Sequence, residues 1–439
     1  MKVIKSISIY TIAGFIQKGI EFPLAIILTY YLTKAETGTM GLALIYIGLF
    51  SVLLQVGATN AVAIEFFKMP PKLFRSYFSS AMLTPVILLF VSTLVLFIFR
   101  YRLSDLMSLP SYWIPILPIG GFCLFLIQLV LMLFRSKNLT MHYAGFNIAY
   151  TILIFALSLL LVIIFTLKWE GRVVAVVLTN LTFAGVGFYF INKWKLATKQ
   201  IKKVHIKDAL LYGGSVIPFT LSSMVINFSD RIFIEKMVGL DEMGVYHVGY
   251  TIGSIILIVV MAFTAAFNPF LYEILSKNDE RGKRKVALMS YAFLIVLGFC
   301  VIGLTIISPL FFRFLIDEKF AAGNLYVFWV AVAYFFFGAY SLFSGQVHYM
   351  KKTKALLLVA FINIVLNLLF NYYLILQFGA IGAAYATILS YIVVMIYMFI
   401  VARRSIYIPY RQVRENMAFL KEFLQENKVP FVSKWLNKK

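Results

Sequence analysis

Long apolar segments alternate with short polar segments along nearly the whole chain. An α-helix rises about 1.5 Å per residue, so roughly 20 apolar residues cross the hydrocarbon layer of a bilayer. Windows of this length predict twelve transmembrane helices. They cover approximately residues 8–32, 39–66, 77–99, 113–134, 145–167, 172–191, 209–229, 244–272, 287–312, 323–345, 355–376 and 379–402. The pattern predicts an all-α polytopic membrane protein.

The amino-acid composition also indicates a membrane protein, and the absence of enzyme motifs excludes several classes of function. Of 439 residues, 62% are hydrophobic and 13% are charged, far from the usage of soluble domains. Cys123 and Cys300 lie in separate apolar segments without metal-ligand or disulfide spacing, so we expect them to pack in the interior. The chain carries no phosphate-binding GxxxxGK[ST] loop, no GxSxG motif and no HExxH motif. We therefore predict no enzyme activity, no metal site and no cofactor.

Basic residues fix the predicted orientation. The net charge is +22, and thirty of the 40 lysines and arginines lie at the N-terminus, in the even-numbered loops or in the C-terminal tail. The positive-inside rule then predicts that both termini are cytoplasmic. This distribution explains the charge without nucleic acid as a partner, and it predicts a multi-pass membrane protein. The first apolar run is too long for a cleaved signal peptide, so we expect it to be retained as helix 1.

Two internal echoes indicate a repeat. The segment "GRVVAVVLTNLTF" at 171–183 matches "GAIGAAYATILSY" at 379–391, with an offset of 208 residues. The shorter "AETG" at 35–38 matches "DEMG" at 241–244, with an offset of 206. Two six-helix lobes related by an axis along the membrane normal follow from such a repeat. The predicted domains are an N-terminal lobe (1–191), a basic cytoplasmic linker (192–208), a C-terminal lobe (209–402) and a basic amphipathic cytoplasmic tail (403–439).

Three stretches carry a family resemblance. The run "DRIFIEKMVGLDEMGVYHVGY" at 230–250, "NPFLYEILSK" at 268–277 and "KKTKALLLVAFINIVLNLLFNYYLILQFGAIGAAYATILSY" at 351–391 resemble bacterial O-antigen and polysaccharide flippases of the Wzx type. These belong to the multidrug/oligosaccharidyl-lipid/polysaccharide exporter superfamily. The resemblance implies alternating access and movement of an undecaprenyl-diphosphate-linked oligosaccharide repeat unit from the cytoplasmic to the periplasmic leaflet. It also implies membrane lipids, the polysaccharide polymerase and the chain-length machinery as partners.

Helix 1 carries the most unusual polar residues. Lys18 lies roughly 17 Å into the first apolar run, close to mid-bilayer, and Glu21 follows three residues later on the same helix face. Gln17 stands four residues before Glu21. An uncompensated charge at this depth costs roughly 2.5 to 3.5 kcal/mol, so these groups should face protein or water. One hypothesis is a structural ion pair, and the other is that Lys18, expected to be the only deep base, meets a passing diphosphate.

Two further polar stripes are candidates for the substrate path. In helix 7, Ser223, Asn227 and Asp230 follow at i, i+4 and i+7, and Arg231 offers a bidentate fork for phosphate. This pair is predicted to lie at the outward mouth, with a solvated surface pair as the alternative. Helix 11 carries polar amides at successive i+4 steps, which fit either interhelical hydrogen bonds or contacts to sugar hydroxyls. These are Asn363, Asn367 and Asn371.

The sequence thus predicts a lipid-linked oligosaccharide flippase for O-antigen, lipopolysaccharide or related polysaccharide biosynthesis. A small-molecule cation exporter of the same superfamily and a membrane glycosyl polymerase remain alternatives. Short outward loops disfavour the polymerase, which needs an extramembrane scaffold. Without a nucleotide-binding fold, an ion gradient or consumption of the product must drive transport. Glu21 is the deepest carboxylate available to couple a proton or sodium ion.

Overall fold

The computed structural model describes residue 14 and residues 19–277, 279–350 and 352–426; the side chains of residues 213–227, 353 and 420–426 are outside this description. Regular structure in the described part is helical, and ten helical segments are long and apolar enough to cross a membrane. This confirms the predicted fold class. The orientation of the termini stays a prediction.

Eight helices lie in the described part of the first half. The first, α1 (Gly19–Tyr31), is a short apolar helix. It is followed by α2 (Lys34–Gln55), α3 (Ala58–Lys68), α4 (Pro71–Ile98), α5 (Arg100–Met107), α6 (Ile116–Ser136), α7 (Thr140–Leu159, extended by a π-turn over Leu160–Ile164) and α8 (Lys168–Lys193).

The second half repeats this plan. It contains α9 (Lys203–Met237), α10 (Leu240–Gly253), α11 (Ile255–Lys277), α12 (Glu280–Phe314), a 3₁₀ turn (Glu318–Gly323), α13 (Asn324–Tyr349), α14 (Thr353–Phe378), α15 (Ile381–Ser405) and α16 (Val413–Glu426).

Two predicted spans are interrupted, which the hydropathy windows do not reveal. The second span breaks into α2 and α3 because Val56 and Gly57 both adopt positive φ, at 45° and 72°. Val56 is β-branched and disfavours this conformation, so the surrounding packing must hold the break in place. The eighth span is divided at Ser254 into α10 and α11, and α11 contains Pro269.

The two halves pack their helices in matching pairs. In the first lobe α6 packs between α2 and α8, and α8 also packs on α7; in the second lobe α13 packs between α10 and α15, and α15 packs on α14. The repeat extends to individual bonds. Thr179 donates its hydroxyl to the carbonyl of Ala175 at 2.7 Å, and Thr387 donates to Ala383 at 3.1 Å. These pairs are separated by the 208 residues of the sequence repeat.

The lobes meet closely at the end predicted to face outward, where α2 and α10 cross at two glycines. A Cβ on Gly38 would lie 2.5 Å from the carbonyl oxygen of Leu240, and a Cβ on Gly244 would lie even closer to the carbonyl oxygen of Lys34. Only residues without a side chain permit so close an approach of two helix backbones. Nearby, the amide of Asp317 donates to the hydroxyl of Thr29 at 3.2 Å. We call the α2–α10 crossing the glycine contact.

At the opposite end, the linker between the halves is held by α4. Ser76 donates to the carbonyl of Gln200 at 2.7 Å, and Tyr77 donates to the carboxylate of Asp208 at 2.9 Å. The chain after α15 folds back onto α12 and α13 before α16 begins, through a hydrogen bond of 2.6 Å from Tyr291 to the carbonyl of Tyr410. One end of the bundle is thus held by the glycine contact, and the opposite end by hydrogen bonds to the linker and to the segment after α15.

Candidate functional site

A buried acid–base pair lies near the end of α9. Asp230 is 0% exposed and Arg231 is 6% exposed, and their side chains approach to 3.5 Å. Asp230 also accepts a hydrogen bond of 2.8 Å from the hydroxyl of Tyr246 on α10. The alternative that this is a solvated surface pair is wrong, because Tyr246 and Tyr250 of α10 cover both residues. The position at the outward mouth stays a prediction.

An aromatic cluster surrounds the guanidinium of Arg231. Its Cζ lies 4.1 Å from the centroid of the Tyr250 ring, a cation–π distance. Tyr250 shares a hydrogen bond of 2.6 Å with the hydroxyl of Tyr334 on α13. A charge this deeply buried requires such partners, because desolvation of a guanidinium costs several kcal/mol. Arg231 is therefore fixed to α10 and α13 as well as to its own helix.

A second arginine lies inside the first lobe, and sequence reasoning missed it. Arg172 lies about one turn into α8, is half-buried, and donates from Nη1 to the hydroxyl of Ser158 on α7 at 2.7 Å. Glu21 lies within electrostatic range of this guanidinium. The expectation that Lys18 is the only deep base is wrong, because α8 begins at Lys168 and so places Arg172 within the helix. The available signal was an arginine at the first position of an apolar window.

His247 connects the two arginines across the lobe interface. It lies on α10 within electrostatic range of both Arg172 and Arg231. On the other side α2 approaches it at Gly41, where a Cβ would be 3.4 Å from the imidazole Nδ1. That Nδ1 has no hydrogen-bond partner among the described residues. Next to it is a small cavity with walls from α1, α2 and α10, including Phe22, Thr37 and Thr251.

The amide stripe of α14 faces α9. Ser229 donates to Asn367 Oδ1 at 2.6 Å, and Asn371 donates to Ser229 Oγ at 3.1 Å and to Asn367 Oδ1 at 3.0 Å. Asn367 and Asn371 are both fully buried. These bonds match the interhelical role that the sequence offered as one alternative. Asn363 is half-buried, and its Oδ1 has no partner among the described residues.

Several predicted site residues cannot be placed. Lys18 and Gln17 lie outside the described residues, as do the side chains of Ser223 and Asn227. The structure brings Asp230 and Arg231 next to α10 and brings Glu21 near Arg172. It does not gather the α14 amides into the same group. Among the described residues, no cluster of histidine, cysteine and carboxylate side chains has the geometry to hold a metal ion.

Two cations from different lobes, Arg172 and Arg231, therefore both lie within electrostatic range of His247, which is one turn along α10 from Gly244 of the glycine contact. Guanidinium groups bind phosphate through parallel N–H···O bonds, and low surrounding polarity strengthens the attraction. Tyrosine rings beside Arg231 add flat surfaces suited to stacking on sugars or other planar groups. The arrangement is chemically suited to an anion that carries polar groups.

Comparison with known families agrees with this geometry. The family described as "Polysaccharide biosynthesis protein" matches residues 3–275, and the MatE family matches residues 218–373. Two proteins of Haemophilus influenzae are also similar, an uncharacterized membrane protein at 28% identity over 117 residues and "Lsg locus putative protein 1" at 29% over 115 residues. Each alignment covers about a quarter of this chain and less than a third of the relative.

Solved structures show the fold. The "Lipid II flippase MurJ, inward closed conformation" superposes with a TM-score of 0.76 at 15% identity, over 90% of this chain and 87% of that chain. A mutant of the MATE transporter VcmN of Vibrio cholerae superposes with a TM-score of 0.62 at 14% identity, covering 94% and 98%. An inward-facing multidrug resistance transporter of the MATE family gives 0.64 at 13% identity, covering 92% and 96%. The chain belongs to the polysaccharide biosynthesis protein family and is a multi-pass membrane protein that shares the fold of the MurJ and MATE structures.

Proposed function

We propose that this protein moves an undecaprenyl-diphosphate-linked oligosaccharide repeat unit from the cytoplasmic to the periplasmic leaflet, by alternating access, for O-antigen or a related surface polysaccharide. The family match over residues 3–275 supports a role in polysaccharide biosynthesis. The structural neighbour MurJ is a flippase of lipid II, which is itself lipid-linked. The substrate, the leaflets and the polymerase and chain-length partners are parts of this proposal.

One observation carries the substrate class. Arg172 of the first lobe and Arg231 of the second both lie within electrostatic range of His247 at the lobe interface. A diphosphate diester carries two negative charges, and a pair of guanidinium groups can bind it bidentately on both sides. Glu21 near Arg172 would neutralise that cation when no substrate is bound, so that exchange of one anionic partner for another is close to balanced.

The experiment is genetic and biochemical. Cells that lack the protein should accumulate undecaprenyl-diphosphate oligosaccharide on the cytoplasmic leaflet and lose surface glycan. Arg172→Ala should insert at normal abundance but fail to restore display, whereas Arg172→Lys should restore part of it because the positive charge remains. Lys193→Ala is the matched control, since Lys193 is an exposed basic residue at the opposite end of the same helix.

Quantitative immunoblotting and a surface-glycan assay give the two readouts. Normal display in cells without the protein, together with polymerised lipid-linked glycan, would contradict the flippase. Normal display with Arg172→Ala would remove Arg172 from the path without contradicting the family assignment.

Export of small molecules is the second candidate function. The MatE match over 218–373 and the MATE neighbours favour export of small molecules by the same fold. A cluster of two buried arginines repels the organic cations that such an exporter would carry. We therefore rank this function second. Cells overproducing the protein should show unchanged efflux of cationic dyes; arginine-dependent dye efflux would reverse the ranking.

A further inference from the structure

The segment after the last membrane helix forms a strap, residues 406–412, that crosses the ends of α12 and α13. Tyr410 is its anchor. Its carbonyl accepts from Tyr291 at 2.6 Å, and its hydroxyl accepts from Gln346 Nε2 at 2.5 Å. Asn416, at the start of α16, is fully buried and donates to the carbonyl of Pro409 at 2.7 Å. The strap is thus held in a defined position on the bundle.

The strap roofs a cavity against α13 and α15. The cavity walls come from both the strap and the bundle, so the site exists only while the strap is docked. Its lining residues are Gln346, Phe399, Ala402, Arg403, Ile406, Tyr407, Ile408, Tyr410 and Arg411.

The charged residues that line the cavity are all basic. Arg403 comes from α15 and Arg411 from the strap, and none of the nine lining residues is acidic. Gln346 is 1% exposed, and its Oε1 has no hydrogen-bond partner among the described residues. A buried acceptor without a donor costs free energy, which a ligand hydroxyl or a water would relieve. Two cations and one unsatisfied acceptor define the chemistry of the occupant.

We propose that this cavity binds the headgroup of an anionic phospholipid that carries hydroxyl groups. Arg403 and Arg411 would hold the phosphodiester, and Gln346 Oε1 would accept from a headgroup hydroxyl. The cavity lies where α15 ends at Ser405, at the membrane boundary predicted to be cytoplasmic, and Tyr407 beside it is 55% exposed. Aromatic and basic residues at this level match the interface between headgroups and acyl chains.

Phosphatidylglycerol is the probe, because its phosphodiester supplies the anion and its glycerol supplies the hydroxyl donors. The full chain is purified in mild detergent with this lipid, and retained lipid is counted by native mass spectrometry. Arg403→Gln with Arg411→Gln should retain phosphatidylglycerol about tenfold more weakly, as expected for the loss of roughly 1.4 kcal/mol. The double change of both residues to Lys should retain part of the binding, because the charge remains while the fork is lost.

The matched control is Arg404→Gln with Arg414→Gln. It removes the same charge from the same segment, but neither residue lines the cavity. We expect this control to bind phosphatidylglycerol like the parent protein. All four side chains are exposed, so the fold should survive, and thermal melting checks this.

Two results would overturn the proposal. Equal loss of lipid in both glutamine variants, or no loss in either, would mean that general charge and not this cavity attracts the lipid. Displacement of the lipid by inorganic phosphate at equal concentration would mean that the cavity is a site for free anions.

Discussion

The glycine contact is the most sensitive point of the lobe interface, and Gly244→Ala tests its role. The atoms that a new Cβ would meet are backbone atoms of α2: the carbonyl carbon of Lys34 at 2.9 Å and the amide nitrogen of Gly38 at 3.1 Å, with the Lys34 oxygen closer still. Backbone atoms of a helix cannot rotate aside as a side chain does. The two helices must therefore separate.

The size of the effect follows from the distances. Ordinary van der Waals contact begins at 3.4 Å, whereas a Cβ on Gly244 would lie 2.9 Å from the carbonyl carbon of Lys34 and closer still to its oxygen, so the helices must move apart by more than about 0.5 Å. Overpacking of this kind typically costs about 1–3 kcal/mol. The cost applies only to the state in which the outward end is closed. It should shift the equilibrium toward outward opening by about 5- to 150-fold.

The assay measures access to the interface. Cys123 and Cys300 are first replaced by alanine, and Thr37→Cys is introduced, because Thr37 is 4% exposed and lines the cavity beside the glycine contact. A membrane-impermeant thiol reagent should label this cysteine faster when Gly244→Ala is present. On the proposed function, surface-glycan display should fall while protein abundance stays normal, since alternating access needs both states.

Gly185→Ala and Gly303→Ala are the controls, because a Cβ at either glycine meets no atom within 4 Å. Both variants should label and export like the parent, and their helices should gain slightly in stability. The reasoning fails if Gly244→Ala leaves labelling and display unchanged. It also fails if the two controls lose display to the same extent.

Three further outcomes follow from the site and the topology. Arg231→Ala should reduce the protein level, because Asp230 then lacks its ion-pair partner while buried, at a cost of about 3–5 kcal/mol. The double variant Arg231→Ala with Asp230→Ala should recover the protein level but not glycan display. Pulse-chase immunoblotting measures the level of both variants. Glu21→Gln should alter the dependence of export on pH or sodium if Glu21 couples the driving ion, and unchanged export across both conditions would exclude it. Reporter fusions after Lys203 and Arg284 should be cytoplasmic and fusions within 104–111 and 235–242 periplasmic, and one reversed fusion would contradict the predicted orientation.

The fold class could be predicted from the sequence because the hydropathy of a membrane helix is a sum over about 20 residues and tolerates single exceptions. Each predicted span contains described helical residues. The sequence was also sufficient for the repeat, since "AETG" and "DEMG" contain Gly38 and Gly244. The sequence did not show that these two motifs are in contact. An internal echo shows that two segments occupy equivalent positions, but only tertiary structure shows that they touch each other across the interface.

The site was less predictable, for a different physical reason. A hydropathy window does not locate a helix end to within one turn, so the predicted span 172–191 begins at Arg172 although α8 begins at Lys168, and the predicted span 209–229 ends before Asp230 although α9 continues to Met237. The burial of Asp230 and Arg231 depends on Tyr246 and Tyr250 of another helix. Window sums contain no information on such partners.

On the proposed function, the glycine contact and the arginine cluster act as one unit. Arg172 belongs to the lobe of α2, since Lys168 of α8 pairs with Glu36 of α2 at 3.2 Å. Arg231 belongs to the lobe of α10, since its partner Asp230 is bonded to Tyr246. Separation of α2 from α10 would therefore pull the two cations apart. A diphosphate that bridges both arginines stabilises the outward-closed state, and by linkage outward opening weakens its binding. The geometry thereby couples outward opening to substrate release, without any change in the charge of the protein.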